Sequence, residues 1–468
     1  MHNSKEIFNF YTSKIQNKLS YLAQKYNNIS AYTLYGKVLS AKGTNIIAYL
    51  PTAKVGDLCE ITDLREFNIK AEVVAINGHN AVLIPFSYIH NVSQNCYIYK
   101  KNEWFSIKLN NDLLGSIVNG LGEFQFRINN NEKKDQTSID TNLTQQRDIM
   151  AKAPDPLQRP IIDKQLLTNI NAIDLFIPCG IGQRLGVFAP PGVGKTTLMG
   201  MLIRNVEADV VVIALIGERG REVREFIDLE LDEGILSRCV VVVSTSDKPP
   251  VEQVKAAYVA QTIAEYFRDQ GKNVVLFMDS ITRFARAGRE IGLSAGEPIT
   301  RGGFPPSVFL SFPQLMERAG TTPNGSITAF YMVLTDISQN NSDAIAEEIK
   351  SISDGHIMLS RDLANRGHYP AIDVLTSLSR IGDRLITQKQ LLATRHLRLL
   401  LTEHNEIEFL LKVGEYVAGQ NKLADEAIAK YDDIIKFLQQ PPREILDLTA
   451  DKKFSQLLNQ LYTLTENS

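Results

Sequence analysis

The chain has little of what would build a secreted, membrane-spanning or zinc-stapled protein. Its four cysteines, Cys59, Cys96, Cys179 and Cys239, lie far apart with no C-x-x-C pair. They read as reduced cytosolic thiols, neither disulfide staples nor zinc ligands. The seven histidines form no H-E-x-x-H or comparable metal spacing. No apolar run approaches the ~18 residues of a membrane helix. The longest, such as Val210–Ile216, are strand-length. Met1-His-Asn-Ser-Lys-Glu lacks the basic start and apolar middle of a secretory signal, so a cytoplasmic chain is expected. A net charge of −3 leaves no basic footprint for nucleic acid. What remains is a soluble, globular composition: 44% hydrophobic and 22% charged, over a length that suits about two to four domains.

Residues 1–30 carry Ile7, Phe8, Phe10, Tyr11, Ile15, Leu19 and Leu22 at roughly helical spacing. That fits either a terminal helix or an amphipathic handle for a partner. Residues 31–108 hold short strand-like runs: Tyr35–Leu39, Asn45–Leu50, Leu58–Ile61, Lys70–Ile76, Ala81–Ile84 and Tyr97–Tyr99. Gly36, Gly43, Gly56 and an Asn77-Gly78 hairpin turn punctuate them, which predicts a small β-barrel or sandwich. Residues 109–160 read as a linker. Its polar loop, 128–150, has too little apolar surface to offset the entropy of ordering.

From about 161 to 380 strand and helix alternate. Val210–Ile216, Val240–Val243, Val274–Met278 and Thr328–Leu334 are continuous apolar runs, with a helix predicted over Val251–Arg268. Strands buried on both faces of a parallel sheet look like this, so a doubly wound α/β domain is expected. Residues 381–468 predict a helical domain with helices over Leu385–Leu401, Glu406–Val417, Leu423–Leu438 and Phe454–Leu464.

The most informative stretch is Ala189-Pro-Pro-Gly-Val-Gly-Lys-Thr196, between the apolar run Leu185–Phe188 and a helical pattern starting near Thr197. A strand, a glycine loop ending in Gly-Lys-Thr and a helix make a phosphate-binding loop. Its backbone N–H groups and the helix N-terminus form a concave anion cradle. Pro190 and Pro191 lack N–H donors, so phosphate contacts should begin at Val193. The nucleotide-binding set is then Gly192, Val193, Gly194, Lys195, Thr196 and Thr197. Lys195 should reach the β- and γ-phosphates, and the Thr196 hydroxyl should ligate Mg2+.

Open parallel sheets bind ligands beyond the carboxyl ends of their strands. The run Val210–Ile216 ends in Gly217-Glu218-Arg219, and Val274–Met278 ends in Asp279. Asp279 is the expected second magnesium anchor. Glu218 is a carboxylate placed to polarise the attacking water, with Arg219 to hold it or touch phosphate. Arg380, where the α/β region ends, is a candidate cation against the transition state.

With these residues in place, the run from Leu157 to Arg380 resembles the catalytic core of the type III protein-export ATPases. The matching stretches include Pro156-Leu-Gln-Arg-Pro, Gly182-Gln-Arg-Leu-Gly, Gly217-Glu-Arg-Gly-Arg-Glu, Met278-Asp-Ser-Ile-Thr-Arg-Phe-Ala-Arg-Ala, Pro305-Pro-Ser-Val-Phe, Gly325-Ser-Ile-Thr-Ala-Phe-Tyr and Gly367-His-Tyr-Pro-Ala-Ile-Asp-Val-Leu. The resemblance implies an α/β, RecA-like P-loop core with a mainly parallel sheet, an N-terminal β-barrel and a C-terminal helical domain. It implies ATP and Mg2+, with Lys195, Thr196, Glu218, Arg219 and Asp279 at the site. Arg380 matches the arginine finger that reaches a neighbour's nucleotide. Tyr369 sits where the family stacks an aromatic ring on adenine; by residue type alone it fits a packed core tyrosine equally well.

By the same resemblance the chain forms a homohexamer, peripheral to the inner membrane at the export apparatus and not inserted. Residues 1–30 meet a stator or regulator, and the C-terminal domain faces chaperone–substrate complexes and the export gate. The residues before the barrel, Gly-Glu-Pro at 296–298 and Pro-Pro-Ser-Val-Phe lean toward the flagellar branch over the injectisome branch. Two stretches depart from the family: Thr335-Asp-Ile-Ser-Gln-Asn-Asn-Ser-Asp is less acidic, and Ser116 stands where an arginine is usual. Alternatives are a rotary synthase-type subunit, a nucleotide-binding structural subunit and a hexameric nucleic-acid translocase. The last is disfavoured by Asp57, Glu60, Asp63, Glu66 and Glu72 in the barrel segment.

Overall fold

The computed structural model describes residues 35–63, 68–89, 91–101, 104–127, 144–335, 343–443 and 450–466. The segment 1–30 and most of the polar loop lie outside the described residues. The chain divides into two compact units, one built on the N-terminal strands and one formed by Phe86–Tyr88 and Trp104 onward.

In the first unit β1 (Tyr35–Lys42), β2 (Asn45–Tyr49), β3 (Leu58–Thr62), β4 (Asn68–Asn77), β5 (Asn80–Pro85) and β6 (Tyr97–Lys100) close into a barrel in the order β1-β2-β5-β4-β3-β6. Alternate residues point inward, among them Val38, Ile46, Ala48, Ile61, Ala71, Val73 and Ile98, and fill the interior. The β4–β5 hairpin turns at Gly78, whose φ of 61° suits a residue without Cβ, and Asn77 pairs with Asn80 across it.

In the second unit β8 (Ser116–Asn119), β9 (Phe124–Arg127), β11 (Arg184–Ala189), β12 (Val210–Ile216), β13 (Cys239–Ser244), β14 (Asn273–Asp279), β16 (Ser326–Leu334), β17 (Gly355–Leu359) and β18 (Ile372–Ser379) form one large sheet. Its order is β18-β17-β11-β16-β14-β12-β13-β8-β9, with a short β15 (Gly320–Thr321) beside β16. From β17 to β8 every pairing is parallel, and only β15 and the two edge strands run antiparallel. All seven residues of β12 are buried. Val211, Ile213 and Leu215 join one apolar layer, and Val210, Val212, Ala214 and Ile216 the other.

Helices cover both faces. On the first lie α1 (Lys195–Asn205), α2 (Gly220–Glu230) and three C-terminal helices named below. On the second lie α3 (Pro250–Arg268), α4 (Ile281–Ser294), α5 (Pro306–Met316) and α6 (Ala344–Ile352). The C-terminal helices α7 (Gln388–Val413), α8 (Lys422–Leu438) and α9 (Ala450–Glu466) insert Leu397, Leu400, Ile434 and Leu461 into the same apolar layer as Leu198 and Phe226.

Two readings are corrected. The segment 109–160 is not a bare linker. β8 and β9 extend the sheet past β13, and β10 (Gln145–Asp148) pairs with β7 (Ser106–Leu109). The strands are four residues long and flanked by Gly115, Gly120 and Gly122, so the turn signals outweighed the strand signal. Ser116 is buried in β8, with its hydroxyl donating to the Leu113 carbonyl. The break predicted between Leu401 and Glu406 does not exist. α7 runs unbroken because Thr402-Glu-His-Asn contains no glycine or proline, and it ends at Gly414, whose φ is 74°.

The segment before the phosphate loop is held down by Arg318, which is 1% exposed. Its guanidinium forks onto Glu265 at 2.7 and 2.8 Å and donates to the Ile149 carbonyl at 2.5 Å and to Thr262 Oγ1 at 3.1 Å. Truncation leaves Glu265, itself buried, as an unpaired charge. We expect Arg318→Ala to destabilise this unit by about 3–5 kcal/mol. The check is the shift of its urea midpoint; a change within ~1 kcal/mol removes the pair from the account of stability.

Candidate functional site

The order β11-β16-β14-β12 brings three strand ends to one rim of the sheet. β11 stops at Ala189, and the loop Pro190–Gly194 leads into α1 at Lys195, two residues earlier than the sequence pattern suggests. Gly192 and Gly194 have φ of 80° and 89°, angles that residues with a Cβ rarely adopt. They let the loop curl so that Val193 is buried while Thr196 stays exposed at the helix start.

The loop borders a cavity of about 690 Å³. Gly192, Lys195 and Thr196 line it from the loop and α1, Glu218 and Arg219 from the end of β12, Asp279 from the end of β14, and Arg283 from α4. Lys195 Nζ donates to Asp279 Oδ1 and stands 3.9 Å from Glu218 Oε1. The side chains of Lys195, Glu218 and Asp279 are 12%, 13% and 5% exposed, so their charges act on one another with little water between them. Burial pushes the Asp279 carboxyl above its ordinary value. Lys195 pulls it back and the neighbouring Glu218 charge adds to the rise.

Glu218 is gripped by Arg283, not by Arg219. Arg283 Nε lies 3.1 Å from Glu218 Oε1 and Nη2 3.3 Å from Oε2, a two-pronged hold that fixes the plane of the carboxylate. Arg219, expected to hold Glu218 or to touch phosphate, does not hold Glu218: it sits at the cavity rim with its side chain 73% exposed and pairs with Glu222 at 3.2 Å. The fork on Glu218 follows from local geometry. Ser280 caps α4 by accepting from the Arg283 N–H at 3.3 Å, which pins Arg283 in the first turn after β14. Asp279-Ser-Ile-Thr-Arg283 carries the signal for the cap, a serine three residues before an arginine at a strand end, but none for the carboxylate that the arginine meets. In the sequence that stretch points to Asp279 and to the family resemblance, and gives Arg283 no role.

Tyr369 lies against the phosphate loop. A Cβ on Gly194 would sit 3.3 Å from Tyr369 Cε1, and the ring is half-buried. Thr197 is half-buried on the same turn of α1. Arg380 does not line the cavity. It is exposed and donates to the carbonyls of Lys350 and Ser351, at 3.2 and 3.5 Å, where α6 ends.

Among the described residues no cluster of three or more His, Cys, Asp or Glu side chains could hold a metal alone. Thr196 and Asp279, which both line the cavity, offer one hydroxyl and one carboxylate. That fits Mg2+, which keeps several waters and takes its remaining ligands from substrate phosphates.

Comparison with known proteins adds independent findings. Residues 169–379 match the ATP synthase alpha/beta family, nucleotide-binding domain. Residues 386–457 match the T3SS EscN ATPase C-terminal domain. The chain is 46% identical to a type 3 secretion system ATPase of Xanthomonas euvesicatoria, over 88% of this chain and 91% of the relative. It is 42% identical to a flagellum-specific ATP synthase of Bacillus subtilis, over 88% and 92%. The assembled ATPase EscN of enteropathogenic E. coli, solved in complex with its central stalk EscO, superposes with a TM-score of 0.81 at 43% identity, over 91% of this chain and 100% of that one.

The grip on Glu218 yields a prediction. Arg283→Gln should lower kcat for nucleotide hydrolysis about 100-fold and leave KM within about threefold, because the carboxylate is misplaced while the phosphate cradle is intact. Arg219→Gln should cost less in kcat. Steady-state kinetics of the two variants decide it; equal losses would return the holding role to Arg219.

Proposed function

This chain belongs to the type III secretion ATPases and is a P-loop ATPase; we propose that it hydrolyses ATP with Mg2+ as a homohexameric ring that drives protein export. The observation that carries this reading is the set Lys195, Asp279, Glu218 and Arg283 in one cavity beside the glycine loop.

In this reading the loop N–H groups from Val193 onward cradle the phosphates, and Lys195 exchanges Asp279 for the β- and γ-phosphate oxygens. That exchange would free Asp279 to hold Mg2+ together with the Thr196 hydroxyl, and the ion would supply positive charge against the terminal phosphates. Glu218, with its plane set by Arg283, orients the water for in-line attack. Tyr369 stacks on the base. Arg380 lies outside its own cavity, which supports a finger offered to the neighbouring protomer.

Partners and location follow the relatives. The EscN relative is assembled and holds a central stalk, so we infer a ring with a stalk partner here. Phe409, Val413 and Val417, exposed at the end of α7 and just beyond, offer an apolar rim for chaperone–substrate complexes and the export gate. Among the described residues no helix is long and apolar enough to cross a membrane, in keeping with a peripheral position at the inner membrane. The partner assigned to residues 1–30, a stator or regulator, rests on the family resemblance. Our reading takes the flagellar branch, from the stretch before the barrel, Gly296–Pro298 and Pro305–Phe309. The 46% identity to the Xanthomonas relative supports the injectisome as the second reading. Deletion in the source organism separates them: loss of motility supports the first, loss of effector secretion the second.

Hydrolysis per chain should rise with concentration as rings form, and Lys195→Ala should reduce it to background. Arg380→Ala should cost about 10³-fold or more in kcat. Mixing the two inactive variants should restore part of the activity, since some interfaces then pair an intact lysine with an intact finger. A mixture as inactive as either parent overturns the role of Arg380 across the interface.

A further inference from the structure

Behind the reaction cavity lies a second, smaller one of about 220 Å³. It is lined by Gly217, Ser246, Lys248, Pro250, Gln253, Arg283, Arg286, Ala287 and Glu290. Three of these residues are cationic and one is acidic. Lys248 and Arg286 are exposed, and among the described residues neither side chain makes a hydrogen bond or ion pair. Asp247 and Glu252 are the further acids within electrostatic reach of Lys248. Asp247 is already bonded to Thr245 Oγ1.

Arg283 lines both cavities. Its guanidinium holds Glu218 on the reaction side, and its aliphatic stem runs past Gly217. A Cβ on Gly217 would lie 2.8 Å from Arg283 Cδ and 2.9 Å from Gln253 Oε1. The partition at this point is therefore a glycine, held at φ 66°, and one flexible arginine side chain. The turn itself is tied to the second cavity, because the Ser246 N–H donates to the Glu218 carbonyl at 2.9 Å and the Gly217 N–H to the Ser244 carbonyl at 2.6 Å. Gln253, on the first turn of α3, is fixed by its own bond to the Lys248 carbonyl at 2.9 Å.

We propose that this second cavity is an oxyanion site that receives the phosphate released by hydrolysis, with Arg283 as the shared wall through which it is handed over. The proposal rests on the hydrolytic reading of the first cavity. Cleavage leaves a phosphate dianion between ADP and the Glu218 carboxylate, where ADP closes the loop side and Glu218 repels the product. Arg283 is the cation nearest that carboxylate on the far side, and its guanidinium can exchange Glu218 for the product with no change in the backbone. Lys248 and Arg286 then supply charge-assisted hydrogen bonds beyond it, and the first turn of α3 adds the favourable end of a helix dipole. The exposure of both residues opens the cavity to solvent, which makes it an exit as well as a site.

The test uses the full-length assembled protein and the double variant Lys248→Gln/Arg286→Gln, at surface positions where loss of folding is not expected. Single-turnover quench measures bond cleavage, and a fluorescent phosphate sensor measures free phosphate. The double variant should lengthen the lag between the two about tenfold, and the inhibition constant for added inorganic phosphate should rise about tenfold, with Arg286→Lys keeping most of the wild-type behaviour. Unchanged lag and inhibition overturn the proposal. So does a double variant that runs as a smaller species than the ring, because the cavity then receives an acidic side chain of the neighbouring copy. Calorimetric titration of inorganic phosphate into the ADP-loaded protein separates this from the reading it rests on. A chain that hydrolyses nothing but still binds phosphate, and loses that binding in the double variant, fails only as an ATPase.

Discussion

Two largely buried carboxylates within reach of one lysine repel each other strongly unless cations stand beside them. Asp279 and Glu218 meet that condition because Lys195 bonds the first and Arg283 forks onto the second. The alternation of charge is the constraint on which the rest of the site depends. It removes most of the repulsion that burial would otherwise magnify, and it holds each group in the orientation its task requires. It also makes the resting site responsive, since a triphosphate entering the loop competes directly for Lys195.

Nothing local could assemble these four groups. They come from the start of α1, the end of β12, the end of β14 and the first turn of α4. The sheet order places β16 between β11 and β14, and β14 beside β12, so the three tips open on the same rim. The order is stable because strands such as β12 and β14 are apolar on both faces and must be covered by helices on both sides. Polar staples then fix the connections: Arg318 on Glu265 and the 149 carbonyl, and Arg184 in a two-pronged pair with Asp354 across to β17. The chemistry at the rim is precise to the degree that these buried contacts are.

Gly217 shows how one residue serves both layers of the argument. Its positive φ turns the chain out of β12 so that Glu218 faces the cavity, and its missing side chain leaves room for Arg283 and Gln253. Function has been gathered at turns with unusual backbone angles, Gly192, Gly194 and Gly217, while the strands that carry them are ordinary in every respect.

The barrel strands, the apolar core strands, the phosphate loop and the two strand-end acids were all legible in the sequence, because each is a local pattern with a local cause. Alternation marks a strand with one wet face, a continuous apolar run marks a strand with none, and Gly-x-Gly-Lys-Thr marks a loop that must approach phosphate closely. β8 and β9 were not legible, since a four-residue strand between glycines looks like a turn until a partner such as β13 is found for it. The length of α7 was missed because Thr402–Asn405 is polar on a surface that only packing identifies as helical. The grip of Arg283 on Glu218, in place of Arg219, and the distance of Arg380 from its own cavity belong to the tertiary structure alone. They depend on which direction a long, flexible cation takes, and that is decided by the acceptor it meets in space, a carboxylate for Arg283 and two backbone carbonyls for Arg380, whatever its distance along the chain.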